Sequence, residues 1–285
     1  MKTNTTPKVM GIININGESF YKESRCLKSE RVLERIHTML AEGADLIDIG
    51  ACSTRPLSTP VSMEQEWEYL KEPLQAIAGE ILSGCKTAGR NLISIDTFHA
   101  EIVRRVYDTI GEFTVNDISA GEDDLQMLKT VGELKLPYIA MHKRGKPDTM
   151  QGLCDYPNGV TNEVIRYFKE FEERAAACNI TDYIVDPGWG FAKTLEQNYE
   201  LLNGIPQMRR ELTTSDGTPR ELLVGISRKG MIWKLLDITP DQALCGTVAL
   251  NLQALLLGAT IIRVHDVKEG VQCTKLQKVF AFSHI

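Results

Sequence analysis

Residues 8–20 read KVMGIININGESF, and this stretch sets the prediction of the fold. Its first part is apolar, as expected of a strand that is buried on both faces. Asn14 lies inside the apolar run, and the pair Asn16-Gly17 ends it. Asn and Gly tolerate the positive φ angles that turns require. The amide of Asn14 therefore belongs either to a turn or to a ligand site at the end of a strand.

Seven further short apolar runs follow the first one along the chain. Segments with helical periodicity separate most of them, and three of these segments cover residues 29–43, 162–180 and 239–259. In the first, Ser29 is predicted to cap the helix and Gly43 to stop it. The third is apolar enough to predict a well-buried helix closed by Gly258. The seven runs cover residues 45–50, 91–97, 113–117, 137–142, 182–186, 221–227 and 260–265.

Eight strands that alternate with helices in a chain of 285 residues predict an α/β fold, a (β/α)8 TIM barrel. The alternative, an open doubly wound sheet, usually has fewer strands. No low-complexity tract or linker divides the sequence, so we expect a single domain over residues 1–285.

Composition and charge exclude several classes of function. The net charge is -6 and the pI near 5.5, whereas a nucleic-acid surface usually needs a clustered basic excess. No apolar run approaches the roughly 18 residues of a membrane span, and the N-terminus lacks the apolar region of a signal peptide. The seven cysteines include no C-x-x-C pair, which favours free thiols over a disulfide frame or a zinc site. We therefore expect a cytoplasmic protein without membrane or nucleic-acid partners.

Polar residues end every predicted strand, which is where a barrel builds its active site. Taken singly, each of them could cap a helix or close a turn. Arg263 and His265, however, are two residues apart and so share one face of a strand, which favours a common site. The strand-end residues are Asn14, Asp48 followed by Ser53, Thr54 and Arg55, Asp96, Asn116 with Asp117, His142 with Lys143 and Arg144, Asp186, the run Ser227-Arg228-Lys229, and Arg263 with His265.

Two kinds of chemistry occur among these residues. Asp96, Asn116 and Asp186 offer carboxylates and an amide, which can pair with the N–H edge of a flat nitrogen heterocycle. A second, basic set suits a phosphate or a diphosphate in an otherwise acidic protein. The predicted ligand is a heterocycle that carries an anionic group. The basic set comprises Arg55, Lys229, Arg263 and His265.

Eight motifs then match one known family in identity and in order, from about residue 7 to residue 275. They read VMGIININGESF, DIGACSTRP, ISIDT, VNDIS, MHKRGKPDTMQ, IVDPGWGFAKTLEQNYELL, LVGISRKGMI and IIRVHDVKEGV. The chain resembles the dihydropteroate synthase family through them. The resemblance implies a transferase of folate biosynthesis, a sulfonamide target, that joins 6-hydroxymethyl-7,8-dihydropterin diphosphate to 4-aminobenzoate and releases diphosphate. It also implies a homodimer that requires Mg2+.

The resemblance assigns roles to residues of this chain. Arg55, Lys229, Arg263 and His265 would be the catalytic residues. The pterin would be held by Asp96, Asn116, Asp186 and Lys229, with Met141 and Phe191 packed around its ring. Asn14, Arg263 and His265 would bind the diphosphate, with Asn14 as the Mg2+ ligand, and Thr54, Arg55, Pro56 and Ser227 would contact 4-aminobenzoate.

The chain departs from the family pattern in its first loop. The family usually has Asn-x-Thr-Pro-Asp-Ser-Phe, whereas residues 14–20 read NINGESF; Cys52 replaces a usual glutamate and Trp189 a common phenylalanine. Drift in a loop that tolerates substitution is one explanation. An altered 4-aminobenzoate pocket, or a paralogue that binds pterin without turnover, is another. A pterin-dependent methyltransferase is the rival enzyme class, because it would share the pterin-binding residues.

Overall fold

Eight parallel strands form the centre of the molecule. The computed structural model describes residues 6–15, 25–51, 61–82, 92–145 and 149–282. The strands are β1 Lys8–Asn14, β2 Leu46–Gly50, β3 Ile93–Asp96, β4 Thr114–Asp117, β5 Tyr138–Met141, β6 Ile184–Asp186, β7 Leu223–Val224 and β8 Ile261–Val264. They are hydrogen-bonded in the order β6-β5-β4-β3-β2-β1-β8-β7. A parallel bridge between Val185 and Leu222 joins β6 to the chain just before β7 and closes the ring.

Each of the eight predicted apolar runs contains one of these strands, and helices follow them along the chain. The prediction of a (β/α)8 barrel is confirmed. None of the helices in the described part of the chain combines the length and the apolar content that a bilayer crossing requires. The helices are α1 Arg25–Glu42, α2 Met63–Ile77, α3 Ala100–Ile110, α4 Met127–Leu134, α5 Val160–Ala177, α6 Leu195–Asn203, α7 Ile205–Glu211, α8 Gly230–Trp233, α9 Leu244–Leu257 and α10 Val267–Phe282.

The predicted C-terminal ends of two helices are confirmed, and one predicted N-terminal end is wrong. Gly43 and Gly258 directly follow α1 and α9, each with the positive φ of a helix stop. Ser29 is not an N-cap, because α1 begins at Arg25 and includes the serine in its second turn. Serine is acceptable inside a helix, so its presence alone does not mark the first residue.

The prediction that α9 is well buried is also wrong. Its buried residues are confined to one stripe, Thr247, Asn251, Ala254 and Leu255. Leu256, by contrast, is 45% exposed. The apolar content of α9 extends around the helix, but only this stripe is buried, and its other apolar residues are partly or largely exposed.

The strands alternate between two environments, because successive side chains point to opposite faces. Outward-facing residues such as Ile47, Ile95 and Ile262 pack under the helices in the main hydrophobic core. Inward-facing residues form a second, smaller apolar cluster within the barrel. Its buried members are Met10, Leu46, Ile139, Leu223 and Ile261.

We expect Gly132→Ala to destabilise the protein by about 2 kcal/mol, because a methyl group there would overlap the backbone carbonyl oxygen of Cys178. Helix propensity alone predicts the opposite sign, since Ala in place of Gly usually stabilises a helix by up to about 1 kcal/mol. The control is Gly79→Ala, whose new methyl would meet no described atom within 4 Å. Chemical denaturation measures both free energies of unfolding, and an unchanged or higher value for Gly132→Ala would contradict the packing argument.

Candidate active site

The inner face of the barrel changes from apolar to polar two residues further along the strands. Side chains two residues apart in a strand share a face, so Asp48 follows Leu46, and Arg263 follows Ile261, on the inside. The register extends this layer around the ring, since Asp48 pairs with Ser94 and Asp96 with Asn116. We call this set the inner polar layer; it consists of Asp48, Asp96, Asn116, Asp186 and Arg263.

Asp48 is the most buried member of the inner polar layer, with no exposed surface. Its Oδ2 atom accepts hydrogen bonds from Arg263 Nε at 2.7 Å and from Asn116 Nδ2 at 3.0 Å. Arg263 Nη2 lies 2.5 Å from the same oxygen. The other oxygen, Oδ1, is buried and has no hydrogen-bond partner among the described residues. One carboxylate therefore joins strands β2, β4 and β8.

Arg263 bridges two carboxylates, since its Nη2 atom also donates to Asp96 Oδ2 at 3.0 Å. Burial alone would lower the pKa of Arg263, but Asp48 and Asp96 outweigh it and raise that pKa, so the guanidinium stays charged. Burial raises the pKa of Asp96 to about 7, the Arg263 charge opposes the rise, and the nearby Asp48 charge adds to it. Asp96 can therefore hold or release a proton close to neutral pH.

Lys229 approaches the layer from the loop after β7. Its Nζ atom donates to the carbonyl oxygen of Trp189 at 2.6 Å and lies 4.9 Å from the ring centroid of Phe191. Burial lowers the pKa of Lys229 to about 8, and the charge of Asp186 opposes that fall. This lysine is a partly buried cation whose charge is lost at moderately alkaline pH.

Asp186 ends β6 and is 8% exposed. Its Oδ1 atom accepts the backbone N–H of Gly188 at 2.8 Å, which fixes the carboxylate against the loop that follows. Burial raises the pKa of Asp186, while Lys229 and then the Gly188 N–H lower it. Gly188 has a φ of +73°, and a methyl group at that position would overlap the carbonyl oxygen of His142, so glycine is required there.

Ser227 and His265 form a hydrogen-bonded pair between the loops after β7 and β8. Ser227 Oγ lies 2.9 Å from His265 Nδ1 and accepts the backbone N–H of His265 at 3.2 Å. The neighbouring residues lock the same two loops, because Arg228 donates to both oxygens of Asp266 at 3.0 and 2.9 Å. Arg228 has a φ of +54°, a strained value for a residue with a side chain. The ion pair with Asp266 holds the backbone at Arg228, between Ser227 and Lys229, in this conformation.

The remaining predicted residues divide into those that the structure describes and those that it does not. Asn14 is exposed at the end of β1, opposite Gly50 in the register. Met141 is buried at the end of β5 and pairs with Asp186. Outside the described residues lie Thr54, Arg55, Pro56, Cys52 and the altered loop positions Asn16, Gly17 and Glu18.

Two residues of this region are absent from the site predicted by sequence. Asp48 was noted only as the polar end of a strand; counting two residues on from the inward-facing Leu46 would have placed it in the barrel. Lys193 lies in the loop after β6, and its Nζ atom is 3.0 Å from His142 Nδ1. No residue pattern in that loop indicates that its lysine is buried.

The described residues contain no cluster of three or more histidine, cysteine or acidic side chains that could hold a metal ion. Asn14 nevertheless fits a magnesium site of another kind. Mg2+ is often held by one or two protein oxygens and completes its octahedron with water and phosphate oxygens. An amide oxygen at the exposed end of β1 is a hard donor of that type.

Comparison with known proteins agrees with this geometry. The model of the family described as "Pterin binding enzyme" matches residues 10–265. The dihydropteroate synthase of Synechocystis sp. is 38% identical over 271 residues, which cover 94% of this chain and 88% of that protein. A dihydropteroate synthase of Yersinia pestis, solved in a sulfonamide drug complex, superimposes with a TM-score of 0.83 at 31% identity and covers 99% of this chain and 96% of its own.

Some relatives are longer than this chain. The mitochondrial folate synthesis bifunctional protein of Pisum sativum is 35% identical over 279 residues, which cover 94% of this chain but 52% of that protein. The chain thus spans about half the length of this bifunctional relative and nearly the whole of the Synechocystis enzyme. From the match over residues 10–265, the chain belongs to the family of pterin-binding enzymes.

Proposed function

We propose that this chain is a dihydropteroate synthase. It would join 6-hydroxymethyl-7,8-dihydropterin diphosphate to 4-aminobenzoate, release diphosphate and form 7,8-dihydropteroate. The observation that carries the proposal is the inner polar layer, with Lys229 and His265 beside it. Almost the whole length of the chain also matches proteins named dihydropteroate synthase. The protein would work as a transferase of folate biosynthesis.

The carboxylates and the amide of the inner polar layer suit the pterin ring. A pterin presents a row of N–H donors along one edge, and carboxylates accept such parallel bonds well. Asp186 and Asp96 would accept them, Asn116 would add an amide contact, and Lys229 would donate to the ring carbonyl. Met141 is buried beside Asp186, and Phe191 lies beside Lys229, so both can pack against the ring faces.

The basic residues suit the diphosphate. In the reaction the C–O bond breaks and its electron pair leaves with the diphosphate, while the amine lone pair of 4-aminobenzoate forms the new C–N bond. The amine then loses a proton to water or to diphosphate. Arg263 and His265 would stabilise the charge that develops on the leaving group, and Ser227 would hold the His265 ring in place. No nucleophilic residue is required.

The second substrate would be held by the loops near the basic end of the site. Thr54, Arg55, Pro56 and Ser227 are proposed as contacts for 4-aminobenzoate, with Arg55 counted among the catalytic residues. Of these, Ser227 has its Oγ atom 2.9 Å from His265 Nδ1, which supports a role for it between the two substrates. A site closed by the first two loops would act through positioning and exclusion of water rather than through a strong base.

Asn14 is proposed as a protein ligand of Mg2+. The ion, when bound, would neutralise charge on the diphosphate. The amide of Asn14 would hold the ion at the end of β1, the strand next to β8, near the proposed diphosphate contacts Arg263 and His265. This proposal is supported by the exposed position of Asn14 and by its hard oxygen donor.

We also propose a single-domain homodimer that works in the cytoplasm. Exposed apolar side chains on α9 and α10, among them Leu256, Leu276 and Phe280, support a self-association surface. Thiols without a disulfide at Cys178, Cys245 and Cys273 suit a reducing compartment.

We expect Asp186→Ala and Lys229→Ala each to abolish measurable binding of pterin diphosphate while leaving the fold intact. The first removes the carboxylate proposed to accept from the ring, and the second removes the partly buried cation near it. Calorimetric titration measures the affinity, and circular dichroism checks the fold. Undiminished affinity in either variant would remove that residue from the pterin site.

We expect Asp48→Asn to weaken pterin diphosphate binding by roughly ten- to a hundredfold, because Arg263 and Asn116 lose the charge that aligns them. Asp45→Asn is the matched control: Asp45 precedes the same strand, and its carboxylate accepts the Val9 N–H at 2.8 Å at the other end of the barrel. The control should lower stability alone. Equal affinity of Asp48→Asn and wild type would show that Asp48 does not align the site.

Binding should also weaken with rising pH. Because the pKa of Lys229 is lowered to about 8, its ammonium group is present below that pH and is lost above it. We expect the affinity for pterin diphosphate to fall by about tenfold per pH unit above about pH 8. Lys229→Arg, which stays protonated, should shift this fall to higher pH. A flat affinity across that range in the wild-type protein would contradict the role of the ammonium group.

A further inference from the structure

Lys193 is an almost fully buried lysine to which the proposed mechanism gives no role. It lies in the loop between β6 and α6, residues 187–194, which we call the β6–α6 loop. Its side chain is 3% exposed. The Nζ atom donates to the carbonyl oxygen of Gly188 at 2.9 Å and to that of Phe191 at 3.0 Å, and lies 3.0 Å from His142 Nδ1. An ammonium group has three N–H donors, so its three acceptors satisfy it completely.

His142 supports Lys193 as a neutral acceptor. Burial lowers the pKa of His142 well below its usual value, and the charges of Lys193 and Arg144 lower it further. The neutral ring carries one proton, and acceptance at Nδ1 places that proton on Nε2. The His142 backbone is fixed as well, because its N–H donates to the carbonyl oxygen of Asp186 at 2.9 Å. Lys193 is therefore anchored to the rigid end of β5.

The loop that Lys193 holds has a strained backbone. Gly188, Gly190 and Ala192 all have positive φ, and the value of +49° at Ala192 is unfavourable for a residue with a side chain. A strain of this kind costs on the order of 1–3 kcal/mol and persists only where surrounding contacts hold it. Lys193 supplies two of those contacts, to the carbonyls on either side of Trp189 and Gly190.

The same loop presents its atoms to the proposed pterin site. The carbonyl oxygen of Trp189 receives Lys229 at 2.6 Å, and the ring of Phe191 lies 4.9 Å from that ammonium group. Gly188 donates its N–H to Asp186. Lys193 binds the carbonyls of Gly188 and Phe191, which lie on either side of Trp189, and Phe191 contacts Lys229 itself. A change in the loop would thus move the groups around both Asp186 and Lys229.

We propose that Lys193 is a positioning residue, which fixes the β6–α6 loop so that Asp186, Phe191 and Lys229 are placed for pterin binding. This inference rests on the proposed function for its effect on catalysis. Lys193 touches neither substrate in this account and acts through the loop.

The three contacts of Lys193 require its charged form. Burial lowers its pKa to about 7, Asp186 opposes that fall, and Lys229, Arg144 and the nearby Cys154 contribute smaller effects. The neutral amine has two N–H donors, too few for three acceptors. The tests below are therefore best done at about pH 6, where the ammonium form predominates.

The first test uses the fluorescence of Trp189, which is fully buried in the loop. Replacing Trp67 and Trp233 by phenylalanine leaves Trp189 as the single reporter. In this background, Lys193→Met should raise the acrylamide quenching constant of Trp189 by roughly twofold or more, because the loop opens more often. Lys143→Met is the matched control, since Lys143 is 6% exposed and pairs with Asp123 instead of the loop. The control should leave quenching unchanged.

The second test uses steady-state kinetics in the natural sequence. Lys193→Met should raise KM for pterin diphosphate by roughly tenfold and leave kcat within about threefold, because the loop binds the ring equally in the ground and transition states. Lys143→Met should change neither constant. If Lys193→Met does not fold, Lys193→Gln, which keeps a hydrogen-bond donor, replaces it in both tests. We then expect smaller rises in the quenching constant and in KM.

The two readouts separate failure of this inference from failure of the proposed function. Quenching is measured without any ligand, so an unchanged quenching constant overturns the role of Lys193 whatever the enzyme does. A lower melting temperature with unchanged quenching and KM would reveal a purely structural lysine and would also overturn it. If the wild-type protein releases no diphosphate, the proposed function fails, and the quenching comparison still decides whether Lys193 holds the loop.

Discussion

The contact between Asp48 and Arg263 is the interaction on which the rest of the site depends. A fully buried carboxylate stays ionised only when it is paired and hydrogen-bonded. Arg263 provides that pairing from β8, and Asn116 adds a hydrogen bond from β4. Removing one partner of such a pair leaves a buried charge uncompensated, at a cost of about 3–5 kcal/mol. The pair therefore fixes where Arg263 and Asn116 lie before any ligand arrives.

The groups around the same pair favour a particular ligand. The carboxylates Asp48, Asp96 and Asp186 lie among the cations Arg263, Lys229 and Lys193. Burial raises the pKa values of Asp96 and Asp186, and the charge of Asp48 adds to the rise at Asp96. A ligand that brings N–H donors stabilises the charged form of these carboxylates. If the ligand carries an anionic group at its other end, that group meets His265 and Ser227. Lys193 and the β6–α6 loop then add preorganisation, which reduces the ordering that binding must bring about.

Much of the fold followed from the sequence because its signal is local. Apolar runs of the right length predicted every strand that the structure describes, and polar residues at their ends include most of the inner polar layer. The prediction that α9 is well buried was wrong, because hydrophobicity alone does not show which side of a helix packs against the rest of the protein. Asp48 was missed as a site residue because its importance depends on the register that brings Arg263 to it, a relation between residues 215 positions apart. Lys193 was missed for a similar reason, since the acceptors that bury it come from a strand end and a strained loop.

The most direct test of the central claim is release of diphosphate by the wild-type protein when pterin diphosphate and 4-aminobenzoate are added together with Mg2+. The account predicts steady-state release that requires both substrates, yields 7,8-dihydropteroate in equal amount and is inhibited by a sulfonamide. A pterin-binding paralogue or a methyltransferase would release none. Binding of pterin diphosphate without any release of diphosphate on addition of 4-aminobenzoate would contradict the account.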